Sequence, residues 1–281
     1  MEIFKTIFLL TALTLLFVFI GGYMGGQSGM LIAFGIAVAM NFFSYFFSDK
    51  LVLKRYRAVE VNRQNAKGFY EIVEKLAQKA DIPMPKVYII PEQVPNAFAT
   101  GRNPGNAAVA ATEGLLNLLT KEEIESVMAH ELSHVRHYDI LIGSIAATIA
   151  GAIAIIANIM HYGAMFSSGK NRQNPLIMIA IAIVLPLAAT IIQMTISRNR
   201  EYMADEGAAN ITKHPEWLQS ALLKLDAYAK GGIMRQASQE SAHMFIVNPF
   251  SGKNISFASL FSTHPSIENR IARLEQLKNR V

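Results

Sequence analysis

The sequence predicts a mainly helical α+β protein, in which four membrane-crossing helices carry a domain with a small antiparallel sheet. Two observations lead to it. Stretches with no Asp, Glu, Lys or Arg supply four apolar segments, each near the ~20 residues a helix needs to cross the hydrocarbon. Between them, short strand-like runs precede a capped helix that contains His130-Glu131-Leu132-Ser133-His134. Composition agrees: 52% of the 281 residues are hydrophobic and 17% charged, against roughly 25% charged in soluble domains.

The first uncharged stretch runs from Thr6 to Ser48, and the glycine-rich segment Gly21–Gly29 divides it into spans at Phe4–Gly22 and Met30–Phe47. A second stretch has its apolar core at Ile140–Met160, and a third covers Leu176–Ser197. Pro186, inside the last, is tolerated in a span where neighbouring groups satisfy the freed carbonyl. Two other readings stay open. Buried helices of a large soluble enzyme would keep a polar stripe, which these lack. A cleaved signal peptide would end in a small-residue site, and no clear one follows the first span. Lys50, Lys54, Arg55, Arg57, Arg63 and Lys67 follow the second span, and Arg198 and Arg200 follow the fourth. Lys170 and Arg172 oppose them and are outnumbered. The positive-inside rule then puts both termini and the domain on the cytoplasmic side. The expected order is a hairpin over 1–48, a first domain segment over 49–139, a second hairpin over 140–197 and a second domain segment over 198–281.

Within the domain, Asn62–Ala80 reads as a helix that Asp81-Ile82-Pro83-Met84-Pro85 breaks. Strand signals follow at Lys86–Ile90, at Asn96–Thr100 and, after the turn Gly101–Gly105, at Asn106–Thr112. Thr120 and Glu123 form a capping box, opening a helix through Ile124, Val127 and Met128 into the HExxH. On that helix, residues four apart lie about 40° apart in azimuth and ~6 Å apart along the axis. His130 and His134 can therefore reach one metal ion, and Glu131 sits beside them, placed to take a proton from water on the metal. There is no cysteine, so disulfides and thiolate ligands are excluded and zinc would be held by histidine and carboxylate.

Zinc requires a third protein ligand and an open position. His137 lies ~10 Å along the axis from His130, too far to share the ion. Glu201, just beyond the fourth span, is the better candidate, with Glu206 and His264 as rivals. Asp205, four residues on, can accept the outer N–H of a ligand histidine and fix its tautomer; a plain surface acid is the alternative. Two spans between His134 and Glu201 return the chain to the same side, as a shared site demands.

Taken together, His130–His134, the Glu201…Asp205 pair, Asn96-Ala97-Phe98-Ala99-Thr100-Gly101 and Thr263-His264-Pro265-Ser266 resemble the membrane gluzincins. That family includes bacterial heat-shock membrane proteases and is related to the CAAX prenyl proteases. The resemblance covers nearly the whole chain. It implies a gluzincin-type zincin domain facing the cytosol, one zinc ion per chain, and a cell inner membrane location. It implies a stress-response metalloprotease that degrades damaged or misassembled membrane proteins. Asn96, Ala97 and Phe98 would belong to an edge strand that holds extended substrate by β-addition, or else to an ordinary structural strand. His264 would help stabilise the oxyanion. Arg270, on an amphipathic helix with Ile267, Ile271, Leu274 and Leu277, is a further candidate for that task or a solvated charge. Tyr202 is a weaker one. Gly231–Thr263 reads either as a flap over the cleft or as a loop, and His137, His161, His214 and His243 as structural, surface or loop residues.

The expected reaction is endoproteolysis by Glu131-assisted attack of zinc-bound water, with proteins, above all membrane proteins, and the lipid bilayer as partners. Self-cleavage and a homo-oligomer stay open. The net charge of +5 comes without a nucleic-acid motif and reads as membrane topology. A non-catalytic zinc-binding scaffold or chaperone-like protein is the alternative, though it has no use for Glu131. A transporter would need ionisable residues inside the spans.

Overall fold

The computed structural model describes residues 2–141, 198–231, 265–278 and 280. Helix α1 (Glu2–Arg55) holds the first hairpin as two arms folded back at Gly25 and Gly26. Gly26 has φ 56° and ψ −144°, a conformation that only glycine adopts without strain. The arms also need glycine where they meet. A Cβ on Gly29 would lie 2.1 Å from the Gly21 carbonyl oxygen, and one on Gly21 would lie 2.4 Å from the Ala33 Cβ. Across the arms, the Asn41 carboxamide donates to Thr14 Oγ1 at 2.8 Å and to the Leu10 carbonyl at 3.2 Å. Gly25–Phe47 is the one helix among the described residues long and apolar enough to cross a membrane, with 23 residues and a mean hydropathy of 1.9. Apart from Ile140 and Leu141, the spans expected at 140–160 and 176–197 lie outside the described residues. So do His161, His243, His264 and all of Gly231–Thr263 but its first residue.

The helix expected from Asn62 begins later, as α2 (Lys67–Lys79). The Asn62 carboxamide oxygen accepts from the Gln64 and Asn65 N–H groups at 2.9 and 3.2 Å, and that local turn competes with helix. Phe69, Ile72, Val73 and Leu76 then fall on one buried face of α2.

Four strands follow: β1 (Val59–Val61), β2 (Lys86–Ile90), β3 (Ala97–Gly101) and β4 (Ala107–Thr112). Their order is β1-β2-β4-β3, and β2 and β4 run parallel. The sheet is therefore mixed, a correction to the small antiparallel sheet expected from the sequence. After β2 the chain returns as β3 one place further out, and β4 fills the gap in the direction of β2. Gly101, with φ 135°, begins the tight return; a Cβ there would lie 2.3 Å from the Asn106 carbonyl oxygen. All six residues of β4 are buried, while β3 forms an edge of the sheet. Phe98 anchors that edge to the foot of α1, in a cluster with Val52 and Leu53 and against the Tyr56 ring at 5.5 Å.

Helix α4 (Lys121–Arg136), reached through the short α3 (Glu113–Leu118), is the centre of the molecule. It touches α2, β3, β4, α5 (Arg198–Thr212) and α6 (Pro215–Lys230), while α7 (Ile267–Leu277) closes over α5 and α6. The capping box is present in both directions. Glu123 also accepts from Ser220 Oγ at 2.7 Å and Lys224 Nζ at 2.8 Å, tying the start of α4 to α6. Against α5 the approach is close enough that a Cβ on Gly207 would lie 2.1 Å from Ser133 Oγ. That contact sets the spacing of the two helices that carry the candidate ligands.

Candidate metal centre

Because α4 is enclosed on several sides, His130 and Glu131 are buried within it and His134 is nearly so. The two histidine Nε2 atoms are 3.2 Å apart. Glu201, in the first turn of α5, brings Oε2 to 3.7 Å from His130 Nε2 and Oε1 to 3.6 Å from His134 Nε2. A tetrahedral ion with bonds of about 2.0–2.1 Å separates its ligand atoms by about 3.3 Å, so the donor set fits zinc in both spacing and chemistry. Glu206, one of the rivals to Glu201, is exposed one residue past Asp205.

Each histidine has a carboxylate at its outer nitrogen. His130 Nδ1 lies 3.0 Å from Asp205 Oδ1, a contact too bent for an aligned hydrogen bond. His134 Nδ1 and Asp139 Oδ2 form one at 3.1 Å. With Nδ1–H donating, Nε2 keeps its lone pair for the metal. Arg270 is fully buried behind Asp205, donating from Nε at 2.9 Å and Nη2 at 2.6 Å, with Nη1 3.8 Å from Glu201 Oε2. The solvated-charge reading of Arg270 is thereby excluded. Leu274, also fully buried one turn on, fixes which face of α7 points inward.

Charge is shaped by this enclosure. Burial pushes the Glu131 carboxyl up, against the pull of His130 and His134. Burial disfavours a charged His134, yet the Asp139 hydrogen bond and the Glu201 and Glu131 charges outweigh it and push the imidazole up to about 9. For Asp205, burial is overcome by Arg270 and His130, which hold its carboxyl below the usual range.

Strand β3 supplies the remaining wall. The Asn96 carbonyl accepts from Thr112 N–H at 2.9 Å. Antiparallel alternation therefore turns the backbone groups of Phe98 and Thr100 toward β4 and those of Ala97 and Ala99 to the outer side of β3, the edge strand among the described residues. The Ala99 N–H is on that edge and donates to Glu131 Oε2 at 3.0 Å.

Sequence reasoning singled out His130, Glu131, His134, Glu201, Asp205 and Arg270, and the fold gathers all six. It missed Asp139 and the nearby Arg200, whose Nε is 3.4 Å from Asp139 Oδ1. Asp139 stands five residues after His134, beyond helical i+4 spacing. It returns to the ring because Tyr138 takes φ 64° just past the end of α4. Tyr202 is half-buried under the Arg273 guanidinium, 4.1 Å from the ring centroid. His137 caps α4, and His214 stacks on Trp217 beside Glu216.

A family model described as peptidase family M48 matches residues 63–278. The chain belongs to peptidase family M48. Similar proteins include a protease HtpX homolog of Campylobacter curvus, 65% identical over the whole of both chains. A protease HtpX homolog of Sulfurovum sp. is 61% identical over 99% of this chain and 100% of its own length. The crystal structure of S. mikatae Ste24p matches with a TM-score of 0.56 at 17% identity, over 98% of this chain and 65% of that one. That likeness extends to the fold. This M48 protease is thus a metalloprotease of the kind its motifs resembled, and the His130, His134 and Glu201 cluster could hold its metal.

Proposed function

We propose that the chain is a membrane-bound zinc endopeptidase that hydrolyses damaged or misassembled proteins at the cytoplasmic face of the cell inner membrane. The carrying observation is the convergence of three ligand atoms on one point with Glu131 beside it, next to the edge strand β3. His130, His134 and Glu201 would hold one zinc ion. When bound, zinc supplies Lewis acidity, polarising a carbonyl oxygen and acidifying water.

Everything else is done by the chain. Glu131 takes a proton from the attacking water and returns it to the leaving amine. Its enclosed, upward-shifted carboxyl suits a group that must both accept and release a proton near neutral pH. Asn96, just before β3, and Ala97 and Phe98 within it line the edge along which an extended substrate adds, pairing with the outward backbone groups of Ala97 and Ala99. Asp205 orients His130, and Arg270 keeps Asp205 ionised and in place. His264 is the candidate for oxyanion stabilisation.

The apolar hairpin in α1, the basic run that follows it, and the packing of Phe98 on the foot of α1 support a site held close to the bilayer. The four-span topology, and membrane proteins as the principal substrates, follow from the same reading. The test is the full chain in detergent, unmutated and as Glu131→Ala, assayed for zinc content and for cleavage of an unfolded protein. Zinc should stay stoichiometric while cleavage falls by about 10²–10⁴-fold. Undiminished cleavage would remove Glu131 from the proton transfer, and unchanged zinc in His130→Ala would remove His130 from the ligand set.

A further inference from the structure

Each candidate ligand histidine has a carboxylate at its outer nitrogen and a guanidinium behind that carboxylate. His130 is followed by Asp205 and then Arg270; His134 is followed by Asp139 and then Arg200. Asp139 and Arg200 keep only 10% of their side-chain surface exposed. The second array is built from segments that no helix repeat joins. Asp139 lies past the end of α4, turned back by the left-handed Tyr138, and Arg200 lies in the first turn of α5, one residue before Glu201.

We propose that Asp139, held by Arg200, is a positioning residue for the metal ligand His134; this rests on the zinc reading above. Arg200 Nε faces Asp139 Oδ1 while Asp139 Oδ2 meets His134 Nδ1, and a carboxylate oxygen accepts. His134 Nδ1 is then the donor, so that the neutral ring, the form that binds metal, offers its Nε2 lone pair to the point shared with His130 and Glu201. Arg200 does a second thing: it ties this orienting carboxylate to the helix that delivers the third ligand. The two segments flanking residues 142–197 are thus joined to each other through the metal site. Neither residue touches the reacting atoms.

The test measures zinc affinity of the full chain in detergent by chelator competition, together with the visible absorption of the cobalt-substituted protein. Asp139→Asn keeps the size but loses the charge. It should weaken zinc by about 10–100-fold and alter the cobalt band, while helical content by circular dichroism is unchanged. Arg200→Gln should weaken zinc too, Arg200→Lys should retain most of the affinity, and Arg200→Gln should add little once Asp139 is already Asn. Affinity of Asp139→Asn within about twofold of the parent overturns the proposal while leaving the zinc reading intact. If Asp139→Asn fails to fold, equal affinities for Arg200→Gln and Arg200→Lys overturn it. A parent chain without stoichiometric zinc overturns the zinc reading itself, and this inference with it.

Discussion

The Ala99 N–H donates to Glu131 Oε2 across 3.0 Å, so the edge strand β3 is bonded to the residue beside the candidate metal ligands. A peptide adding to β3 competes for the same N–H. On the proposed function, edge and carboxylate would act as one device, with the strand binding the backbone of the substrate and Glu131 meeting its scissile bond.

Proline separates the two sides of β3. It removes an N–H, which a sheet tolerates at a free edge and not in a ladder. Ala99→Pro should keep the fold and its zinc but raise KM for peptide substrates or abolish cleavage. Phe98→Pro removes a ladder hydrogen bond to β4 and should lower thermal stability outright. Melting curves and zinc content for both variants check this. Equal destabilisation by the two would mean that Ala99 does not face a free edge.

Arg270 sits at the bottom of the site with no exposed surface and two donors on Asp205. Removing one partner of a buried pair leaves an uncompensated charge, at a cost of ~3–5 kcal/mol. Arg270→Ala should unfold at markedly lower denaturant than the parent. In the variant Arg270→Ala/Asp205→Ala, which removes both charges, much of that loss should return. Additive losses in the double variant would show that the pair is not coupled.

Much of this site could be read from the chain itself, for reasons tied to helix geometry. His130, His134, Glu201 and Asp205 sit at i, i+4 spacings within single helices, and a regular period carries them to one face. Glu131 follows from its neighbours. The capping box placed the start of α4 correctly because its partners are three residues apart. Long-range pairing was less legible. The parallel alignment of β2 and β4 depends on which strand fills a gap, and no local pattern records that. Arg270 reads equally as an oxyanion candidate or a solvated charge until α7 is packed against α5. Asp139 depends on one left-handed residue, Tyr138, for which the sequence offers no glycine or asparagine as a signal.

Gly207 tests how finely the ligand-bearing helices are spaced. A methyl group there would overlap Ser133 Oγ and lie 2.8 Å from Ser133 Cβ, so α4 and α5 must separate to admit it. Gly207→Ala should destabilise by ~1–3 kcal/mol in spite of the better helix propensity of alanine. It should also loosen zinc, since His134 and Glu201 lie on opposite sides of that contact. Unchanged melting and zinc affinity would show that the interface gives way without moving the ligands.

Proton release reports the electrostatics of the site directly. Asp139, Glu201 and Glu131 push His134 up to about 9 against the cost of burying its charge. At pH 7.5 the zinc-stripped protein therefore carries a protonated His134, and a metal can bind only the neutral ring. Zinc binding at that pH should expel about one proton from His134, measurable by calorimetry in buffers of different ionisation enthalpy, and affinity should climb with pH until about 9. The sign for the stripped protein is the reverse. A folded-state pKa raised above the unfolded value contributes stability that is complete below about 6.5 and is lost as pH rises through about 9. Asp205, held low by Arg270, acts at the acid end and leaves that window alone. Alkaline solution should thus weaken the stripped fold while strengthening metal binding. Zinc binding without proton release at pH 7.5 would mean that His134 is already neutral.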